Sequence, residues 1–168
     1  FLFGLIVTGI SVNLVLFLES HGMTRTEGAA LAGVFGVATV AGRLLTGIAL
    51  DKLSFHIADL MALILFVLAV AFIGMSLSPL WIVISALIVF GFMVGSEADC
   101  LSFAVVRLFG RAYYGRIYGI LGVGFLLSGA GLGPLIFSLI VEQGGGYVHA
   151  LRVWAFFALA SAVCFLAL

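Results

Sequence analysis

The chain has 168 residues, 65% of them hydrophobic and 8% charged, with zero formal net charge and a mean hydropathy of +1.41. Soluble domains average about 45–50% apolar and about 25% charged residues, so these residues cannot clothe a water-facing surface. The balanced total gives no sign of an acidic or basic partner, and no nucleic-acid partner is expected.

Six apolar segments follow in chain order, each near the roughly 20 residues a helix needs to cross about 30 Å of hydrocarbon. The first runs from Phe1 to Leu18 and closes at Glu19-Ser20-His21-Gly22. It opens inside an apolar run with no Met and no basic flank, which reads as a fragment of a longer membrane protein and not as a signal peptide. The second covers 28–50 and closes at Asp51-Lys52; the third covers 57–77 and ends at Ser78-Pro79. The fourth, 80–109, carries Glu97 and Asp99 within it. The fifth, 117–141, is stopped by Glu142 and three glycines, and the sixth runs from Ala150 to Leu168. The runs are unbroken where a membrane barrel would alternate with a period of two, so a barrel is rejected. Short connections make neighbouring helices antiparallel.

Lys and Arg set the orientation. One set of helix ends holds Arg43, Lys52, Arg107, Arg111 and Arg116, and the other only Arg25 and Arg152. The second–third and fourth–fifth connections are therefore placed in the cytoplasm. His21, His56 and His149 are placed in connections, and Trp81 and Trp154 in the interfacial aromatic belt. Cys100 and Cys164 read as packing residues, since a disulfide framework or metal cluster needs more ligands at closer spacing. No metal and no cofactor is expected.

Charges inside the apolar segments are the main functional signal. A charged side chain at a helix centre costs about 2.5–3.5 kcal/mol on insertion scales, so it needs a protein or water environment. Arg43 has Gly36, Thr39, Thr46 and Gly47 as helical neighbours, a small and weakly polar face suited to a cavity or to close packing. Snorkelling to the cytoplasmic surface is the plainer alternative. Glu97 and Asp99 lie at similar depth but about 200° apart around their helix, so both cannot face one partner. An ion pair between the second and fourth helices, releasable by proton or solute, is the expectation. Asn13 and Ser128 are further candidates to line a path, each able instead to bond backbone. In the glycine-dense fifth segment, Gly129, Gly133 and Pro134 predict close packing and a kink or hinge.

The stretch Gly42-Arg43-Leu44-Leu45-Thr46-Gly47-Ile48-Ala49-Leu50-Asp51-Lys52 resembles the G-R-x-x-x-G-x-x-x-D-[KR] signature of the major facilitator superfamily, which runs from a second helix into a cytoplasmic loop. Asp51 can face the positive N-terminus of a neighbouring helix there. Gly95-Ser96-Glu97-Ala98-Asp99, Arg107-Leu108-Phe109-Gly110-Arg111 and Tyr114-Gly115-Arg116-Ile117-Tyr118-Gly119 look like helices ten and eleven of bacterial members near the oxalate/formate antiporter and monocarboxylate transporter branches. Gly129-x-x-x-Gly133-Pro134 resembles an antiporter motif of helix five, which suits a first half; the Arg in the second helix and the Gly-Arg-Ile-Tyr-Gly segment match a second half better.

The resemblance implies an all-α polytopic bundle of six transmembrane helices in two inverted three-helix repeats. It implies the C-terminal half of a secondary transporter in a bacterial inner membrane, with lipid, a small solute and the N-terminal six-helix half as partners. Alternating access would move an organic anion such as a monocarboxylate, by symport or antiport and with a proton as coupling ion, with Arg43 as the anion's partner. Two departures bear on the solute. Thr39 stands where the monocarboxylate branch has an Asp, and no Lys lies between Ile117 and Val141 where oxalate antiporters have one, so a dianion held between two cations is disfavoured. A rhomboid-like protease is rejected for want of a G-x-S-x-G setting and an intramembrane His. A membrane scaffold or sensor is the remaining alternative, and no enzyme activity is expected.

Overall fold

The computed structural model describes residues 2–52, 57–75 and 79–166, and no strand is found among them. His56, Ser78 and the expected outer limits of the first, third and sixth segments lie outside the described residues. The helices are α1 (Leu2–Ser20), α2 (Arg25–Lys52), α3 (Ile57–Met75), α4 (Leu80–Phe109), α5 (Tyr114–Leu126), α6 (Gly133–Ile140) and α7 (Gly146–Leu166). A π-helical stretch, Leu127–Leu132, joins α5 and α6 into one rod, and a second, Val141–Gly145, follows α6. Among the described residues five stretches are long and apolar enough to cross a membrane, the α5–α6 rod being one of them. The 19-residue α3, apolar but for Asp59 near its start, is the sixth rod.

Local chemistry sets the ends. α2 begins three residues before its apolar run because Thr24 and Glu27 form a capping box. The Thr24 N–H and hydroxyl donate to Glu27 Oε2 at 2.8 and 2.9 Å, and the Glu27 N–H returns to Thr24 Oγ1 at 3.3 Å. α4 starts after Pro79 and stops at Gly110, whose φ of 77° lies in the left-handed region open to glycine. Gly146, at φ 70°, turns the chain into α7 ahead of the expected start, so His149 sits in the first turns of that helix and not in a connection.

The packing pattern has two-fold character. α1 packs along the α5–α6 rod, as α4 packs along α2; α3 packs on α4, as α7 packs on α1; α3 and α7 pack on each other. Exchanging the first three rods with the last three reproduces the pattern. A repeat of three crossing rods must start from the opposite membrane face each time, so the two triplets are inverted. The core is Phe17, Phe72, Phe90, Phe137 and Trp154 with surrounding aliphatics.

Trp154 is a correction to the interfacial placement: its indole is 0% exposed. A buried indole needs an acceptor, and Nε1–H donates to the Ile6 carbonyl at 3.0 Å. Gly9 makes the socket, since a Cβ there would lie 2.9 Å from the indole ring. Phe137 meets the ring edge-on, with centroids 5.1 Å apart.

Candidate functional site

Small residues bring α2 and α4 together and place their charges. A Cβ on Gly42 would overlap the Phe92 carbonyl, and one on Gly91 would lie 2.7 Å from the Phe35 carbonyl oxygen. A Cβ on Gly95 would overlap the Thr39 carbonyl and come within 2.9 Å of the Arg43 backbone nitrogen. The backbone of Arg43 thus touches α4 two residues before Glu97. Next along the seam the Thr46 hydroxyl donates to Ser96 Oγ at 2.7 Å, and the Ser96 hydroxyl donates to the Phe92 carbonyl at 2.8 Å. Thr39 bonds back to the Phe35 carbonyl at 2.9 Å.

The Arg43 side chain is exposed, on the open side of α2 beside Val40, Leu44 and Leu45. The expected gap between spans of this bundle does not house it, because the glycine seam closes α2 against α4 and turns the side chain outward. Glu97 and Asp99 are both partly buried and flank the buried Ser96–Cys100 line of α4. The backbones bring Arg43 and Glu97 to neighbouring positions on the α2–α4 seam, since Arg43 meets α4 at Gly95. The expected ion pair is not formed; among the described residues the salt bridge found is Arg25–Glu19, at 4.0 Å on the opposite side. Azimuth explains the difference: matched depth does not bring charges on two tightly apposed helices to the same side.

The other candidates divide. Asn13 is partly buried and its amide donates to the Gly9 carbonyl at 2.9 Å. Ser128, expected on a path, is 0% exposed and bonds the Gly124 and Phe125 carbonyls. It fills the space over Gly4, where a Cβ would lie 2.7 Å from its oxygen, so it is a packing residue in this structure. Gly47 has nothing near its Cβ position, and Asp51 and Lys52 are exposed at the end of α2.

A second seam joins α1 to the distorted rod, and sequence reasoning missed its key residue, Thr8. A Cβ on Gly133 would meet the Leu5 carbonyl and Thr8 Oγ1, each at 2.7 Å, and one on Gly129 would meet Thr8 Cγ2 at 3.0 Å. The Gly133 N–H donates to the Ser128 carbonyl, five residues back. In an α-helix that N–H would serve the Gly129 carbonyl, and the next residue, Pro134, has no N–H to offer. Thr8 supplies the substitute, its Oγ1 lying 2.7 Å from both the Gly129 and Gly4 carbonyls. The signal available in the sequence was a hydroxyl in α1 flanked by Gly4 and Gly9.

No group of three or more His, Cys, Asp or Glu able to hold a metal is found among the described residues. The arrangement is a bundle with two glycine seams, open faces on α2 and α5, and one exposed cation at the edge of a seam carrying two carboxylates. No curated protein and no solved structure was found to match the chain. The family model for the Major Facilitator Superfamily matches residues 1–168. With that match over the whole length and the inverted-triplet bundle beneath it, this chain belongs to the Major Facilitator Superfamily and is an integral membrane protein of a transporter family.

Proposed function

We propose that the chain is one half of a secondary carrier that moves a small organic anion, such as a monocarboxylate, by alternating access with proton coupling. The observation that carries this reading is Arg43: a permanent cation exposed on α2, with its backbone against α4 two residues before Glu97 and without an ion-pair partner among the described residues. Within a bilayer such a side chain needs an anion or water beside it. A single solute carboxylate supplies the anion, and the absence of Lys and Arg between Ile117 and Val141 favours a monoanion.

Coupling is assigned to Glu97. When a solute carboxylate occupies Arg43, Glu97 loses part of its cationic compensation, and a proton neutralises it; solute and proton then move together. Asp99, on the other flank of α4, is the second coupling candidate. The open faces of α2 and α5 meet the companion six-helix half, and the path lies between the halves. Rocking of one half against the other exposes a midplane site to each side in turn. The resemblance to bacterial members supports the cytoplasmic membrane of a bacterium as the location.

The test is uptake of radiolabelled monocarboxylates into proteoliposomes holding the full-length protein, with an imposed proton gradient. Saturable uptake that Arg43→Gln abolishes and Arg43→Lys partly keeps supports the reading, as does Glu97→Gln uptake that no longer responds to the gradient. No uptake of any member of the panel, or an unaltered Arg43→Gln variant, contradicts it and favours a scaffold or sensor.

A further inference from the structure

The turn between α4 and α5 carries a surface that the transport reading does not use. Between Asp99 and Glu142 the only charged side chains are Arg107, Arg111 and Arg116, and all three are exposed. None forms a salt bridge among the described residues. Around them Leu108, Phe109 and Tyr113 are 68%, 54% and 64% exposed. Cations with no counter-charge beside bare apolar and aromatic side chains match the boundary where headgroup phosphates overlie acyl chains.

The fold accounts for the clustering without accounting for the charges. Gly110 ends α4, a single 3-10 turn covers Arg111–Tyr113, and α5 starts at Tyr114, so the three arginines fall within one short reversal. Arg107 lies in the last turn of α4, where a cation is favourable, and its guanidinium sits 5.8 Å from the Phe103 ring centre. Arg111 and Arg116 bracket the start of α5, the positive end of that helix, with no acidic residue in its first turn. Both oppose the local field. Neither forms a salt bridge among the described residues, and an anion bound there would offset the unfavourable local field.

We propose that this turn is a binding platform for anionic phospholipid on the cytoplasmic face. Arg111 and Arg116 hold the headgroup phosphate, Arg107 adds a third positive charge at the rim, and Leu108, Phe109 and Tyr113 lie against the glycerol and upper acyl region. The ligand is a lipid phosphate and not a free one because the apolar half of the surface has no use for a soluble ion. The proposal does not depend on the identity of the transported solute.

The experiment is native mass spectrometry of the full-length protein released from nanodiscs of phosphatidylcholine mixed with phosphatidylglycerol, counting retained lipids of each class. The wild type retains phosphatidylglycerol preferentially. Each basic residue near an anionic surface is worth about 1 kcal/mol, or about fivefold, so the Arg111→Gln/Arg116→Gln double variant loses about 25-fold of that preference. Arg111→Lys/Arg116→Lys keeps most of it, and Arg152→Gln, on the opposite side, changes nothing. Unchanged selectivity in the double glutamine variant, with monodisperse and helical protein, overturns the proposal. So does full competition by added inorganic phosphate without lipid preference, or cross-linking of either position to a carboxylate elsewhere in the full-length protein.

Discussion

Replacing Gly95 by Ala tests the seam that places Arg43 beside α4. The added Cβ would overlap the Thr39 carbonyl oxygen and lie 2.8 Å from its carbon and 2.9 Å from the Arg43 nitrogen. All three atoms are backbone, so no side chain can swing aside, and the helices must part. A radial gap of about 0.5–1 Å forfeits a quarter to a half of each contact's dispersion energy. Overpacking of this kind costs about 1–3 kcal/mol, and rigid neighbours put this site at the upper end. Ala gains at most about 1 kcal/mol over Gly in helix propensity. The net loss is about 2 kcal/mol, a roughly 30-fold fall in the folded-to-unfolded ratio. Gly42→Ala pushes the same two helices apart at Phe92, so the double variant costs less than the sum of the singles. Reversible unfolding in mixed micelles by SDS, followed by circular dichroism, reads all three. A Gly95→Ala variant as stable as the wild type, or strictly additive singles, would refute the seam.

Three further outcomes follow from the described contacts. Thr8→Val keeps the shape but leaves the Gly129 carbonyl without its substitute donor, so stability falls by about 1–3 kcal/mol, whereas Thr8→Ser stays near wild type in the same titration. With two tryptophans in the chain, fluorescence of Trp81→Phe reports Trp154 alone; blue-shifted emission resistant to aqueous quencher is expected, and Trp154→Phe should leave a quenchable signal from Trp81, which is 71% exposed. Thr24→Ala removes the capping box and frays the first turn of α2 by about 1 kcal/mol, visible as faster amide exchange there with no change at the α4 end.

The sequence made some of this structure legible and not the rest, for physical reasons. α4 was readable to its limits because Pro79 and Gly110 interrupt hydrogen bonding at fixed places. The start of α2 was not read from hydropathy, because Thr24, Arg25, Thr26 and Glu27 are polar; their capping-box spacing was the signal to follow. Gly133-Pro134 predicts a distortion, yet its form, a widened turn one step upstream, depends on Thr8 arriving from α1. Trp154 looked interfacial by its distance from a segment end, while its actual socket is made by Gly9 and Ile6, far away in sequence. For Arg43 and Glu97, apolar run lengths give depth in the membrane, but side-chain direction is set by which glycines α2 and α4 press together.

The claim that the open face of α2 lines a solute path is tested most directly by chemical access. In the full-length protein with Cys100 and Cys164 replaced, a single cysteine at Val40, one turn from Arg43 and 61% exposed here, is offered a membrane-impermeant thiol reagent. Labelling from the aqueous phase that a transported monocarboxylate slows is the expected result. A cysteine that lipid or tight packing shields from the reagent in every condition, or one labelled at a rate no solute alters, would contradict it.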